Sequence, residues 1–184
     1  MGRIVVTEYI SVDGVVEAPS GTESFERVGW TDPFTRGPEG DAYKVEETMA
    51  SDALLFGRVT YEAFAEFWPH VPGEFADRFN ALPKYVVTST LESPEWNNTT
   101  ALHVDEVAEL RDRYERDIVV HGSAQLAQTL IENDLVDELR LMVYPVIVGA
   151  GKRLFAETSG TKNLELVETR TFNDVTLLVY RRAV

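Results

Sequence analysis

The sequence contains no cysteine and only three histidines among 184 residues. A disulfide framework is therefore excluded, and the three histidines, His70, His103 and His121, show no metal-ligand spacing. Basic residues are also few: 17 Lys and Arg stand against 31 Asp and Glu, a formal net charge of −14. That balance repels phosphate backbones and anionic membranes, so neither a nucleic acid nor a membrane is expected as a partner. It still admits a small anionic cofactor, because a nest of backbone N–H groups with one or two arginines can hold a phosphate inside an acidic protein. No stretch approaches the roughly 20 apolar residues of a membrane span. Met1 to Glu8 has one basic residue and too short an apolar run for a signal peptide, and it reads as a strand. The expected location is cytoplasmic.

The composition, 44% hydrophobic, 10% aromatic and 26% charged, is that of one globular domain over residues 1–184. Short β-branched runs alternate with helical patterns, the signature of an α/β sheet with helices on its faces. Strands are predicted at Arg3 to Ile10, Ala53 to Phe56, Tyr85 to Thr88, Ala101 to His103 and Ile118 to His121. Apolar residues fall at helical spacing at Tyr61, Phe64, Ala65 and Trp68, at Phe75, Phe79 and Leu82, at Val107, Leu110 and Tyr114, and at Leu126, Ala127, Leu130 and Ile131. In the last third, Glu138 to Tyr144 is a strand. Leu164 to Phe172 and Val175 to Arg182 then form an antiparallel hairpin turning at Asn173-Asp174. The earlier strands are expected to be parallel. Pro19 to Gly40 is the least regular stretch and reads as a functional or mobile loop.

Several strand ends carry residues suited to chemistry. Leu54 to Phe56 runs into Gly57-Arg58-Val59-Thr60 and a helix: a glycine for close approach, unpaired first-turn N–H groups and a fixed positive charge, all suited to a phosphate. The alternative is a simple turn, with Thr60 as a cap and Arg58 paired to a surface carboxylate. Ile118 to His121 repeats the arrangement with Gly122-Ser123-Ala124-Gln125-Leu126, where Ser123 is a ligand hydroxyl or only an N-cap. Thr88-Ser89-Thr90 is a hydroxyl cluster able to bond a ribose or phosphate, or turn chemistry alone. Asp13 in Ser11-Val12-Asp13-Gly14 offers a carboxylate at a strand end, or an Asx-turn. Lys152 and Arg153, beside Gly149 and Gly151, face a cofactor or solvent.

Taken in order, these segments resemble the dihydrofolate reductase-like superfamily, and more closely the branch holding the C-terminal reductase domain of bifunctional riboflavin-biosynthesis deaminase/reductase proteins. The resemblance rests on Ser11 to Gly14, Asp52 to Glu62, Lys84 to Leu91, Val120 to Leu126, Leu135 to Leu139 and Pro145 to Phe155. It implies a three-layer αβα fold around a mixed, mostly parallel sheet of about eight strands, a homodimer, and NADPH as cofactor. It places Gly57, Arg58, Val59 and Thr60 at the cofactor's phosphates, Thr88, Ser89 and Thr90 near the adenosine ribose and its 2′-phosphate, and Gly122 to Leu126 around the pyrophosphate. Where dihydrofolate reductases have a Gly-Gly pair with a cis peptide, this chain has Gly122-Ser123. The catalytic carboxylate of the resemblance falls on Asp41, sixteen residues before Gly57, in a candidate helix with Tyr43, Val45, Met49 and Ala50. Gly40-Asp41 also reads as that helix's cap. Asp13 is the alternative catalytic group, beside the substrate. The implied activity is an NADPH-dependent reductase acting on a small pterin-like, pyrimidine-like or other conjugated molecule, with Pro19 to Gly40 as a lid bearing Phe25, Trp30 and Phe34. The alternatives are a non-catalytic NADPH-binding protein and a structural dimer.

Overall fold

A computed structural model describes residues 1–21 and 24–183. All eight predicted strands are present: β1 (Arg3–Ser11), β2 (Ser51–Gly57), β3 (Lys84–Val87), β4 (Thr99–Leu102), β5 (Asp117–His121), β6 (Glu138–Tyr144), β7 (Leu164–Phe172) and β8 (Val175–Arg182). They form one sheet in the order β4-β3-β2-β5-β1-β6-β8-β7. The six strands from β4 to β6 are parallel; β8 pairs antiparallel with both β6 and β7. The hairpin turns at Asn173, whose φ of 50° is one that Asn tolerates.

Alternation along the buried strands fills both faces. Ile4, Val6 and Ile10 of β1 join Leu55, Ile118 and Val120 on one face, under Leu126, Ala127 and Leu130 of α5 (Ala124–Glu132). Val5, Leu54, Phe56 and Val119 point the other way, under Tyr61 of α2 (Arg58–Phe67) and Phe79 of α3 (Glu74–Ala81). The Val107–Leu110 stripe lies on a 3₁₀ turn, Val104–Glu109, that continues into a short α4 (Leu110–Arg113).

Helix α1 (Gly37–Ala50) departs from expectation at its start. The loop ends at Arg36 instead of Gly40, because Pro38 suits the first turn of a helix and Gly37, with φ of 62°, makes the bend into it. The helix also buries Gly40 and three polar residues against the sheet: Lys44, Glu47 and Thr48.

Candidate functional site

The carboxyl ends of β2 and β5 are neighbours, and one side chain joins them. The Gly57 N–H donates to Ser123 Oγ at 2.9 Å, and that hydroxyl donates to the His121 carbonyl at 3.3 Å. Ser123 precedes the first turn of α5 without capping it through its side chain. The turn is made by two consecutive left-handed residues, Gly122 (φ 58°) and Ser123 (φ 64°), and no cis peptide occurs among the described residues. A Cβ on Gly122 would stand 3.2 Å from Thr60 Cγ2, so this turn also lies against the first turn of α2. Two helix N-termini, each with first-turn N–H groups that have no intrahelical partner, therefore meet at one notch.

Arg58 bridges outward from the notch. Its Nε donates to Glu62 at 2.7 Å, and its Nη1 donates to Thr90 Oγ1. Both the surface pairing and the convergence with the hydroxyl cluster are thus real. Thr88 Oγ1 accepts the N–H groups of Thr90 and Leu91, each at 3.1 Å, which holds that loop as a turn. Val59 is exposed on α2, and the Leu126 side chain is buried in the core.

The two candidate carboxylates lie elsewhere and differ in kind. Asp13 accepts Ser11 Oγ (2.7 Å) and the N–H groups of Val148 (3.0 Å) and Gly149 (2.8 Å). The Ser11 bond, aided by those amides, holds its carboxyl down at about 2. Asp13 thereby pins the 145–153 segment against the end of β1, and Lys152 and Arg153 lie half exposed, paired to Glu17 and Asp13. Asp41 sits inside α1, past its start, so it is not the helix cap; Arg36 occupies that position. The exposed Asp41 carboxylate accepts Arg36 Nε at 2.6 Å. Arg36 also donates to Tyr9 Oη at 2.7 Å and to Tyr144 Oη at 3.4 Å. Trp30 and Phe34 of the preceding loop meet Tyr144 edge-on. The Trp30 indole donates to the Glu17 carbonyl at 2.8 Å, so the cover over Tyr144 is anchored.

Beneath α1 lies a buried ionic group that the sequence reading did not single out. Lys44 Nζ donates to Glu47 and, at 2.8 Å, to Thr7 Oγ1; Arg140 reaches Glu47 at 3.4 Å and Asp117 at 2.6 Å. Burial opposes ionisation of Glu47, but Lys44 and Arg140 outweigh it and keep the carboxyl below its ordinary range. His121 faces this group from β5. Burial, with Lys44 nearby, pushes its imidazole down to about 3, and its Nε2 is buried without a partner. On the opposite face Glu8 is buried with Oε1 unbonded, and burial raises its carboxyl well above the ordinary range. A sequence signal for the α1 group existed: 40, 44, 47 and 48 are spaced as a core-facing stripe, but occupied by a glycine and three polar residues.

Known proteins resemble this chain in sequence and in fold. Two uncharacterized proteins of Bacillus subtilis (strain 168), YyaP and YwjB, are 29% and 28% identical, over 97% and 98% of this chain and 94% and 98% of theirs. A crystal structure bearing the name "Putative riboflavin biosynthesis protein", from Shewanella sp. PV-4, superposes with a TM-score of 0.79 at 19% identity, covering 99% of both chains. Dihydrofolate reductase from Enterococcus faecalis, solved with NADP(H) and RAB-propyl, superposes with a TM-score of 0.61 at 18% identity, over 99% of this chain and 97% of that one. Both likenesses establish a dihydrofolate reductase-like fold. The RibD C-terminal domain profile matches residues 3–178, and the chain belongs to that family.

Proposed function

We propose that this chain is a single-domain, NADPH-dependent reductase that passes a hydride to a small pterin-like, pyrimidine-like or otherwise conjugated substrate. The observation that carries the reading is the convergence of Gly57, Arg58, Thr90, Gly122 and Ser123 at the carboxyl ends of the parallel strands through two hydrogen bonds, Gly57 to Ser123 and Arg58 to Thr90. A dinucleotide suits this notch. First-turn amides of α2 and α5 and the Arg58 guanidinium supply the donors its phosphates need, and Gly122 keeps the turn free of a side chain. When bound, the nicotinamide supplies the hydride; the chain's share is positioning and exclusion of water.

The substrate side is the opposite flank of the notch, toward β1, where Tyr9, Arg36 and Asp41 form one hydrogen-bonded set beside the Trp30–Phe34 cover, with the Asp41 carboxylate exposed. Arg36 fixes the Asp41 carboxylate, which then accepts a substrate N–H. Asp13 shapes the neighbouring loop and, being ionised, gives no proton. A homodimer would cover Leu164, Leu166 and Val167, which stand 43%, 52% and 38% exposed on edge strand β7.

Fluorescence titration and thermal shift with NADPH test the reading. A ligand at a hundred times its Kd adds about 2.7 kcal/mol of stability. If neither NADPH nor NADH changes fluorescence or melting temperature, the reductase assignment is wrong. Tight binding with no turnover of any pterin, pyrimidine or quinone-like acceptor would identify a binding protein instead.

A further inference from the structure

A cavity of about 320 Å³ opens beside the Arg58–Thr90 contact, between the loop after β3 and the 3₁₀ turn after β4. Its polar lining is Thr88, Ser89, Thr90, Glu92, His103 and Glu106, with no Lys or Arg among the lining residues. Glu106 is held in place by a reciprocal cap: its Oε2 accepts the His103 backbone N–H at 2.7 Å, and the His103 side chain accepts the Glu106 N–H. The carboxylate charge therefore stays at the cavity wall. Arg58, at the rim, already donates to Glu62 at 2.7 Å, which offsets part of its charge.

We propose that Glu106 reads the adenosine ribose of the bound dinucleotide. Its carboxylate accepts a ribose hydroxyl and repels a 2′-phosphate, which makes it the residue that restrains NADPH affinity relative to NADH. The inference rests on the reductase reading, which puts a dinucleotide in the notch. The orientation follows from what flanks it. On the β1 side the space belongs to the substrate, whereas the hydroxyl-lined cavity on the β3–β4 side is open and adjoins the Arg58–Thr90 contact. A carboxylate suits a ribose diol because it accepts from a hydroxyl; a phosphomonoester has no proton to give it and carries like charge. Repulsion between this carboxylate and a doubly charged 2′-phosphate in a wet cleft weakens binding by roughly five-fold, and by less as salt rises.

The test titrates wild type, Glu106→Gln and Glu109→Gln with NADPH and with NADH, at low and high salt. The amide oxygen that Glu106→Gln introduces would accept the same His103 N–H, so the cap and the fold are retained; an unchanged melting temperature verifies this. The expected result is that E106Q tightens NADPH about five-fold relative to NADH at low salt, with a smaller gain at high salt. Glu109 lies on the same turn outside the cavity, 3.7 Å from Arg113, and E109Q should leave the ratio unchanged. Glu106→Lys should move the ratio further in the same direction as E106Q. An unaltered ratio in E106Q, or an equal change in E109Q, would overturn the proposal while leaving the reductase reading intact. Failure of wild type to bind either nucleotide would remove both.

Discussion

The backbone N–H of Gly57 donates to the hydroxyl of Ser123 at 2.9 Å, joining the ends of two strands that are 66 residues apart in the chain. Ser123 makes this bond from a left-handed backbone, φ 64°, which costs an L-residue about 1–2 kcal/mol. Ser123→Ala keeps that strain and leaves the Gly57 N–H unpaired, an expected loss of about 1–2 kcal/mol. Ser123→Gly loses the same acceptor but relieves the backbone, so it should be the more stable of the two. Urea unfolding compares them; equal midpoints would show that the turn holds no strain.

Arg58→Ala should weaken NADPH binding by about ten-fold, the scale of one charge-assisted phosphate contact. Its effect on folding should stay within about 0.5 kcal/mol, because the Arg58–Glu62 pair is half exposed on both sides. Nucleotide fluorescence and thermal melting separate the two effects. Unchanged affinity would remove Arg58 from the cradle.

Glu47→Gln should destabilise the fold by about 3–5 kcal/mol, because it leaves the buried Lys44 ammonium without its carboxylate. Replacing both, Lys44→Met with Glu47→Leu, should recover most of that loss, since no uncompensated charge remains. Denaturant unfolding of Lys44→Met, Glu47→Leu and the double variant measures the coupling. Additive losses would mean that the two side chains do not act as a pair.

His121 contributes an acid-labile component. Its folded pKa of about 3 lies below the ordinary 6.5, so between those values the unfolded chain binds a proton that the folded chain refuses. Stability should therefore fall as pH drops from 6.5 toward 3. Histidine NMR should show this imidazole neutral down to pH 5. His121→Asn should flatten that part of the stability curve.

Glu8 has the opposite sign. Its folded pKa is raised above 4.5, so the folded chain holds the proton longer, and stability falls as pH rises beyond 4.5. Glu8→Gln, a mimic of the protonated group, should stabilise the protein at pH 7, with the gain vanishing below pH 4.5. A gain that persists at low pH would point to packing and not to charge.

Much of the fold was readable from local patterns. The bounds of β6, β7 and β8 match the predicted Glu138 to Tyr144, Leu164 to Phe172 and Val175 to Arg182, because each is a run of β-branched and apolar residues bounded by turn residues. Helix α1 resisted. Its inward stripe is Gly40, Lys44, Glu47 and Thr48, so apolar periodicity could not mark which face is buried. The start at Gly37 was hidden by the clustering of Pro and Gly, which reads as loop until Pro38 is seen in a first turn.

The sequence by itself determined the kinds of element, their chain order, and the glycines and hydroxyls at strand ends, since these depend on neighbours within a few residues. Only the tertiary structure decided that β5 inserts between β2 and β1, which puts Ser123 within reach of Gly57. It also decided which charges are desolvated: Lys44, Glu47 and Glu8 are buried while Asp41 is open. Both depend on partners far away in the chain, because hydrogen-bond reach and exclusion of water are properties of what packs on a residue and not of what precedes it.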